Sequence, residues 1–271
     1  MNIHHNDLPV KGSLSPIYIL SLFIAILMLI ASAVGLQYNT IVYPTEELVQ
    51  AFMSNDVVNL LVGLPILLGS MWLTWRGKLI GLLCWPGALF FVTYNYIAYV
   101  FAMPLNWLFI LHLALVALSI YTLIGLLAKM DGSLLQQRLA GKVPERFGGG
   151  VLAGLGILFL LRGLGVLVGA ISNGTTLPET ELAVNIADSL TIPAWVIGGI
   201  LLWRRKAFGY VTGLGLLFQG SMLFIALIIF LLLQPILTSA PFAVADVIVI
   251  FVMGLICFIP FALFARGVGK A

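Results

Sequence analysis

Gly63 to Ala98 reads GLPILLGSMWLTWRGKLIGLLCWPGALFFVTYNYIA, and Thr191 to Ala226 reads TIPAWVIGGILLWRRKAFGYVTGLGLLFQGSMLFIA. Laid over each other without a gap, the two stretches share Pro65/Pro193, Trp75/Trp203, Arg76/Arg204, Lys78/Lys206, Gly81/Gly209 and Gly87/Gly215. Apolar sequences coincide by chance at Leu, Ile and Ala, so the shared Pro, Trp, Arg, Lys and Gly carry the comparison. Each stretch is a pair of apolar segments joined by a short basic turn, which predicts one membrane hairpin used twice. A second register extends the repeat to the preceding segments through Val34/Val168, Gly35/Gly169, Asn39/Asn173, Pro44/Pro178 and Glu47/Glu181. By that register the apolar run after Lys11 belongs to the first copy, although it imitates a cleavable signal peptide.

Of the 271 residues 62% are hydrophobic and only 8% charged, too few charges to clothe a soluble domain of this size. Apolar runs of membrane-spanning length place eight spans at about 16–36, 57–75, 79–101, 105–128, 149–171, 185–203, 207–233 and 243–265. Runs this long would leave backbone groups unpaired in lipid in any open structure, and none alternates as a barrel strand does. The expected fold class is an all-α integral membrane protein, with eight transmembrane helices as two parallel four-helix repeats related by a pseudo-two-fold along the membrane normal. The expected units are 1–128, a first repeat; 129–147, a cytoplasmic interfacial linker; and 148–271, a second repeat.

Twelve of the thirteen Lys and Arg residues fall in the tails or in the turns after even-numbered spans. The positive-inside rule then puts both termini on the cytoplasmic side of the cell membrane. The opposite face carries Glu46, Glu47, Asp56, Glu179, Glu181, Asp188 and Asp246. Cations spread over short turns do not form the solvated basic face that nucleic acid requires, so no nucleic-acid partner is expected. Cys84 and Cys257 lack C-x-x-C spacing and read as inert buried thiols. In the linker, Ser133 is expected to cap a short helix with Leu134, Leu135 and Leu139 on one face. Gly150/Gly154, Gly165/Gly169 and Gly209/Gly213 have the small-x3-small spacing of packing seams, through which the protein could also oligomerise. Pro65 and Pro193 are expected to kink their spans.

Ionisable groups inside a span are costly and default to a site hypothesis. Arg162, near the middle of the fifth span, is expected to turn into the bundle and meet a ligand or pair with Asp188 or Asp246. Asp56 and Asp188 look toward equivalent places at different depths, and His112, Asn95, Tyr94 and Gln219 share the same outer half. Tyr99 is read as an aromatic-belt residue, and Trp72, Trp75, Trp85 and Trp203 as belt anchors. The candidate binding set is therefore Arg162, Asp188, Asp56, Asp246, His112, Asn95, Tyr94 and Gln219.

No metalloprotease, dithiol, phosphate-loop or nucleophile-elbow motif is present, so no catalytic residue, metal or cofactor is assigned. The leading expectation is permease-like transport or binding of a small solute or ion in an outward-facing polar cavity between the repeats. One alternative is a receptor, scaffold or accessory subunit whose polar residues are structural pairs. A second is a membrane-embedded enzyme using Asp56, Asp188, His112 or Asp246 for acid-base work or metal ligation. The partner common to all three is the lipid bilayer.

Overall fold

The computed structural model describes residues 8–270; the extremes of the two expected repeats, 1–7 and 271, lie outside the described residues. The chain forms α1 (Ser15–Gln37), α2 (Asn39–Val42), α3 (Glu46–Val58), a π-helical turn (Asn59–Gly63), α4 (Leu64–Trp75), α5 (Leu79–Ala102) and α6 (Trp107–Lys129). It continues as α7 (Gly132–Leu139), α8 (Glu145–Asn173), α9 (Glu179–Trp203), α10 (Ala207–Leu237) and α11 (Val244–Val268). With α3, the π turn and α4 taken as one continuous rod, eight helices are long and apolar enough to cross a membrane. Among the described residues the one β contact is an isolated antiparallel bridge, Val10 to Met130.

The second rod begins at Glu46, well before the expected 57, and the sixth at Glu179 rather than 185. The two polar starts are sustained differently: α3 is capped by its own N-cap residue, whereas α9 follows Pro178 with no side-chain cap of its own and has its Thr180 N–H taken up by Glu47 of α3. The Thr45 side chain accepts from the Leu48 N–H at 3.3 Å, and Glu46 and Glu47 sit where a helix N-terminus favours negative charge. An apolar-run criterion cannot see such starts. Pro65 and Pro193, paired in the sequence comparison, have different surroundings. Pro65 opens α4 directly after the π turn, whereas Pro193 lies inside the uninterrupted α9.

The ends of the rods sort chemically. At one end the N-terminal strap runs beside the start of the linker, with Lys11 N–H bonded to Lys129 O at 2.7 Å and Asp131 N–H to Pro9 O at 2.8 Å. The same basic end holds the α9–α10 turn, where Gln136 Nε2 donates to Arg205 O at 2.8 Å. At the acidic end, Thr180 Oγ1 donates to Glu47 at 2.6 Å, Gln50 Nε2 to Ser239 Oγ at 3.1 Å, and Ser239 to Glu46. These bonds tie the start of α3 to the start of α9 and to the α10–α11 connection.

The α4–α5 and α9–α10 turns are closed by the same bonds. Lys78 N–H reaches Leu73 O and Lys206 N–H reaches Leu201 O, each at 2.9 Å. The left-handed position is Gly77 (φ 71°) in one and Arg205 (φ 55°) in the other. α5 is the most buried rod, packed by α4, α6, α9 and α10. It crosses α10 at Gly87 and Gly215, where a Cβ on Gly87 would run into the Gly215 carbonyl.

Linker helix α7 is capped by Asp131, whose carboxylate accepts from Ser133 and Leu134 N–H, and not by Ser133 as expected. Leu135 and Leu139 are fully buried while Leu134 is 36% exposed. The helix packs on α10, so its apolar face is narrower than the expected three-leucine stripe. Of the expected seams, Gly209 and Gly213 pack on Leu202 within the bundle, and Gly150 on the Trp203 ring. Gly154, Gly165 and Gly169 face open space. The close α8–α9 contact instead uses Gly149, Gly156 and Gly199.

Candidate functional site

Two polar clusters lie on different faces of α5. The first surrounds Asp56, which is 2% exposed. α3 carries this carboxylate against α1 at Gly35, where a Cβ would strike both Asp56 Oδ2 and the Tyr43 hydroxyl. The absence of a side chain at Gly35 is what admits the pair. Tyr99 donates to Asp56 Oδ1 at 2.8 Å and Tyr43 donates to Oδ2. Asn59 Nδ2 donates to the Tyr99 oxygen at 3.4 Å. Tyr43 comes from the connection between α1 and α3, outside the spans. Burial, and after it the Asp56 charge, push its hydroxyl above the ordinary phenol range, so Tyr43 remains a donor at any physiological pH.

Around this core stand Tyr96 and His112, the latter 1% exposed, with ring centroids 5.3 Å (Tyr96) and 4.7 Å (His112) from Tyr99. Ser32 lies beside Asp56 and Tyr96. Among the described residues, Ser32 Oγ, Asn59 Oδ1, Tyr96 OH and His112 Nδ1 are buried without a hydrogen bond of ordinary geometry, although Ser32 is near enough to Asp56 and Tyr96 to interact with both. Buried polar groups are ordinarily paired, and a group left bare costs roughly 1–3 kcal/mol. Such a concentration in one place marks a site with unspent hydrogen-bonding capacity.

The second cluster centres on Asp188 in α9, which is 8% exposed. Tyr94 of α5 donates to its Oδ1 at 3.0 Å. Arg162 in α8 carries a charge near enough to act on both Asp188 and Tyr94. It makes no ion pair within 4.0 Å with Asp188 or Asp246, and no hydrogen bond, among the described residues. Contrary to expectation, its side chain is exposed on the helix surface and not enclosed by the bundle. It stands about one turn beyond Phe159, whose ring packs on Trp195 and Phe224. Eleven residues separate it from Asn173 at the end of α8, about 16 Å of rise.

The other candidates do not join either cluster. Asn95 is buried but donates to its own helix at Phe91 O, 3.0 Å away. Gln219 accepts from Trp195 Nε1 at 2.6 Å, leaving its Nε2 unpartnered. Asp246 is exposed in the first turn of α11. A cavity of about 260 Å³ does lie between α5 and α6 on one side and α9 and α10 on the other. Its lining, including Gly87, Leu123, Ala194 and Gly215, is apolar and contains none of the candidate residues. A third buried carboxylate lies at the basic end. There Glu145, 4% exposed, accepts from Tyr210 OH at 3.0 Å and Gly141 N–H at 2.7 Å, with Arg205 at 3.9 Å.

Tyr99 is not a belt residue: it is fully buried and is, with Tyr43, one of two neutral donors to Asp56. Trp85 is likewise fully buried, bonded to Ser21 Oγ at 3.1 Å, whereas Trp72, Trp75 and Trp203 are exposed as anchors should be. Tyr43, Ser32 and Asn59 escape a sequence reading because their neighbours are remote in the chain. The signal that could have exposed the cluster is the Tyr96/Tyr99 spacing, one turn apart on a helix with Asp56 at matching depth. Compared with known proteins, the chain matches no family model, no curated protein and no solved structure.

Proposed function

We propose that this chain is a permease-like membrane protein that binds and moves a small solute or ion, using groups on the two polar faces of α5. The observation that carries this reading is a pair of carboxylates, Asp56 and Asp188, buried in membrane-spanning helices, held by tyrosine hydroxyls and without a cation in ion-pair contact. Structural pairing would be expected to neutralise such groups, because an unpaired charge away from water is strongly unfavourable. Arg162 offers guanidinium donors that no described residue takes up, in a form suited to a carboxylate or phosphate on the solute. A hydrated cleft from the acidic end between α5, α8 and α9 would give Arg162 and Asp188 access to water.

The architecture proposed for this function is two parallel four-helix repeats in the cell membrane, with the basic end cytoplasmic. It is supported by the equivalent bonds of the two hairpin turns and by the crossing of α5 and α10 at the sequence-equivalent Gly87 and Gly215. A second reading, an accessory subunit that docks another membrane helix, is favoured by one feature. Gly154, Gly165 and Gly169 lie bare on α8 beside the exposed Arg162.

Thiol labelling separates the two. In Arg162→Cys and Asp188→Cys variants, a membrane-impermeant reagent that reacts only with hydrated thiols should label both positions in sealed vesicles. The native Cys84 and Cys257 are buried and serve as the background. Protection of both introduced cysteines would remove the cleft, and with it the transport reading.

A further inference from the structure

We propose that Asp56 is a proton-exchange site, taking up and releasing one proton from the acidic side, and that the proton is the ion coupled to solute movement. The coupling clause rests on the permease reading; the exchange site itself rests on the Asp56 cluster alone.

The elements packed against Asp56 offer it no counter-charge. α1 presents Ser32 and Gly35, the α1–α3 connection presents Tyr43, and α5 presents Tyr96 and Tyr99, with His112 of α6 behind them. α4 has no titratable residue, and α10, which packs along α3, has none beyond Tyr210 near its start. α9 approaches α3 through Thr180 and Glu47 and brings only further acids, Glu179, Glu181 and Asp188. No Lys or Arg faces the carboxylate.

The geometry selects the cation. A metal ion would need oxygen lone pairs turned toward it, yet both tyrosine hydroxyls spend their protons on the carboxylate. No group of three His, Cys, Asp or Glu side chains converges here or elsewhere among the described residues. Gly35 lies so close that even a methyl group would not fit beside Oδ2. A proton is the cation that needs no such space.

Ser32 Oγ, Asn59 Oδ1, Tyr96 OH and His112 Nδ1, none of them in a hydrogen bond of ordinary geometry among the described residues, supply the remainder, since they can receive a hydroxyl proton or hold a water that carries it. In the exchange the carboxyl O–H bond breaks, its electron pair remains on Asp56, and the proton passes to water at the acidic end. Uptake is the reverse. Tyr43, which arrives from outside the spans, is the neighbour whose movement would open that path.

Infrared difference spectroscopy on the full chain in lipid nanodiscs, with pH as the only variable, tests the site without a known solute. The expected result is a carboxylic C=O band that grows reversibly as pH falls, moves in heavy water, vanishes in Asp56→Asn and persists in Asp188→Asn. Tyr43→Phe and Tyr99→Phe, each removing one donor, should shift its frequency, and Asp56→Glu should restore a displaced band if Asp56→Asn folds poorly. No titrating band, a band that persists in Asp56→Asn, or a band constant across the whole pH range would overturn the proposal. The band and the thiol labelling are independent readouts. A titrating band with sealed Arg162 and Asp188 positions would retain the proton site and reject the permease reading, and hydrated cysteines without the band would do the opposite.

Discussion

At the scale of single residues, Gly35 and Gly169 put the Asp56 cluster to a direct comparison. The two align in the register proposed for the repeats, but a Cβ at Gly35 would strike Asp56 and Tyr43 while one at Gly169 meets nothing within 4 Å. Gly35→Ala should lower the thermal stability of the detergent-purified protein, by about 1–3 kcal/mol as an overpacking cost. Gly169→Ala should be neutral or raise it by up to roughly 1 kcal/mol through the better helix propensity of alanine. Equal effects from the two would mean that Gly35 does not hold the cluster open. Tyr99→Phe should cost about 1–3 kcal/mol, because it leaves a buried carboxylate oxygen short of a donor. Combined with Tyr43→Phe the loss should depart from the sum of the two singles, as groups sharing one acceptor do. The acids and Tyr94 stand out in the sequence because polarity inside an apolar run is unusual. What it could not supply was which of them meet. Asp56 finds a tyrosine from a loop and another from a helix in the same half of the chain, while Asp188 crosses to Tyr94 in the other half.

The elements were the most legible part, because an apolar run long enough to span a bilayer has almost no alternative to a helix. What composition concealed was the polar helical overhang: both helices begin outside the apolar run on acidic first turns, α3 with its Thr45 cap and α9 with Thr180 held by Glu47 of α3. Small residues were legible as a class but not in direction. Of the spaced glycines, some bury against neighbouring helices and others face outward, and only the three-dimensional rotation of α8 decides which. The hairpin turns allow a sharper test. Arg205 holds a left-handed backbone that Gly77 holds in the other turn, at a cost of about 1–2 kcal/mol for a residue with a side chain. Its ion pair with Glu145 is 3.9 Å long with the Arg205 side chain 57% exposed, and exposed pairs contribute roughly 0–1 kcal/mol. The backbone term is the larger, so Arg205→Gly should leave stability unchanged or slightly raised and Gly77→Ala should lower it. A marked loss in Arg205→Gly would show that the Glu145 network outweighs the turn. The same logic applies where α5 meets α10. Gly87→Ala drives a methyl into a backbone carbonyl and should destabilise more than Gly215→Ala, where the nearest atom is the Leu83 carbonyl oxygen at 3.0 Å.

For the molecule as a whole, the decisive contrast is between its two ends. The basic end is tied by backbone bonds between the N-terminal strap and the linker and by the buried Glu145 hub. The acidic end is held by exposed side-chain bonds from Glu46, Glu47 and Gln50 to Thr180 and Ser239. Exposed side-chain bonds are individually weak and open readily, so a molecule that admits a solute or a proton on one side would open at this end first. Gln50 and Ser239 exchange a hydrogen bond at 3.1 Å through the end of the Gln50 side chain, so cysteines at the two positions lie within reach of a short bifunctional thiol reagent. Treating the Gln50→Cys, Ser239→Cys protein with a short reagent that carries a reducible disulfide in its spacer should form the bridge, slow the pH-driven infrared change at Asp56, and suppress labelling of a cysteine at position 188. Reduction should restore both. A bridge that forms fully and changes neither rate would mean that the route to the buried carboxylates does not pass between α3 and the α10–α11 connection, and would move the search for it to the side of the bundle where Arg162 is exposed.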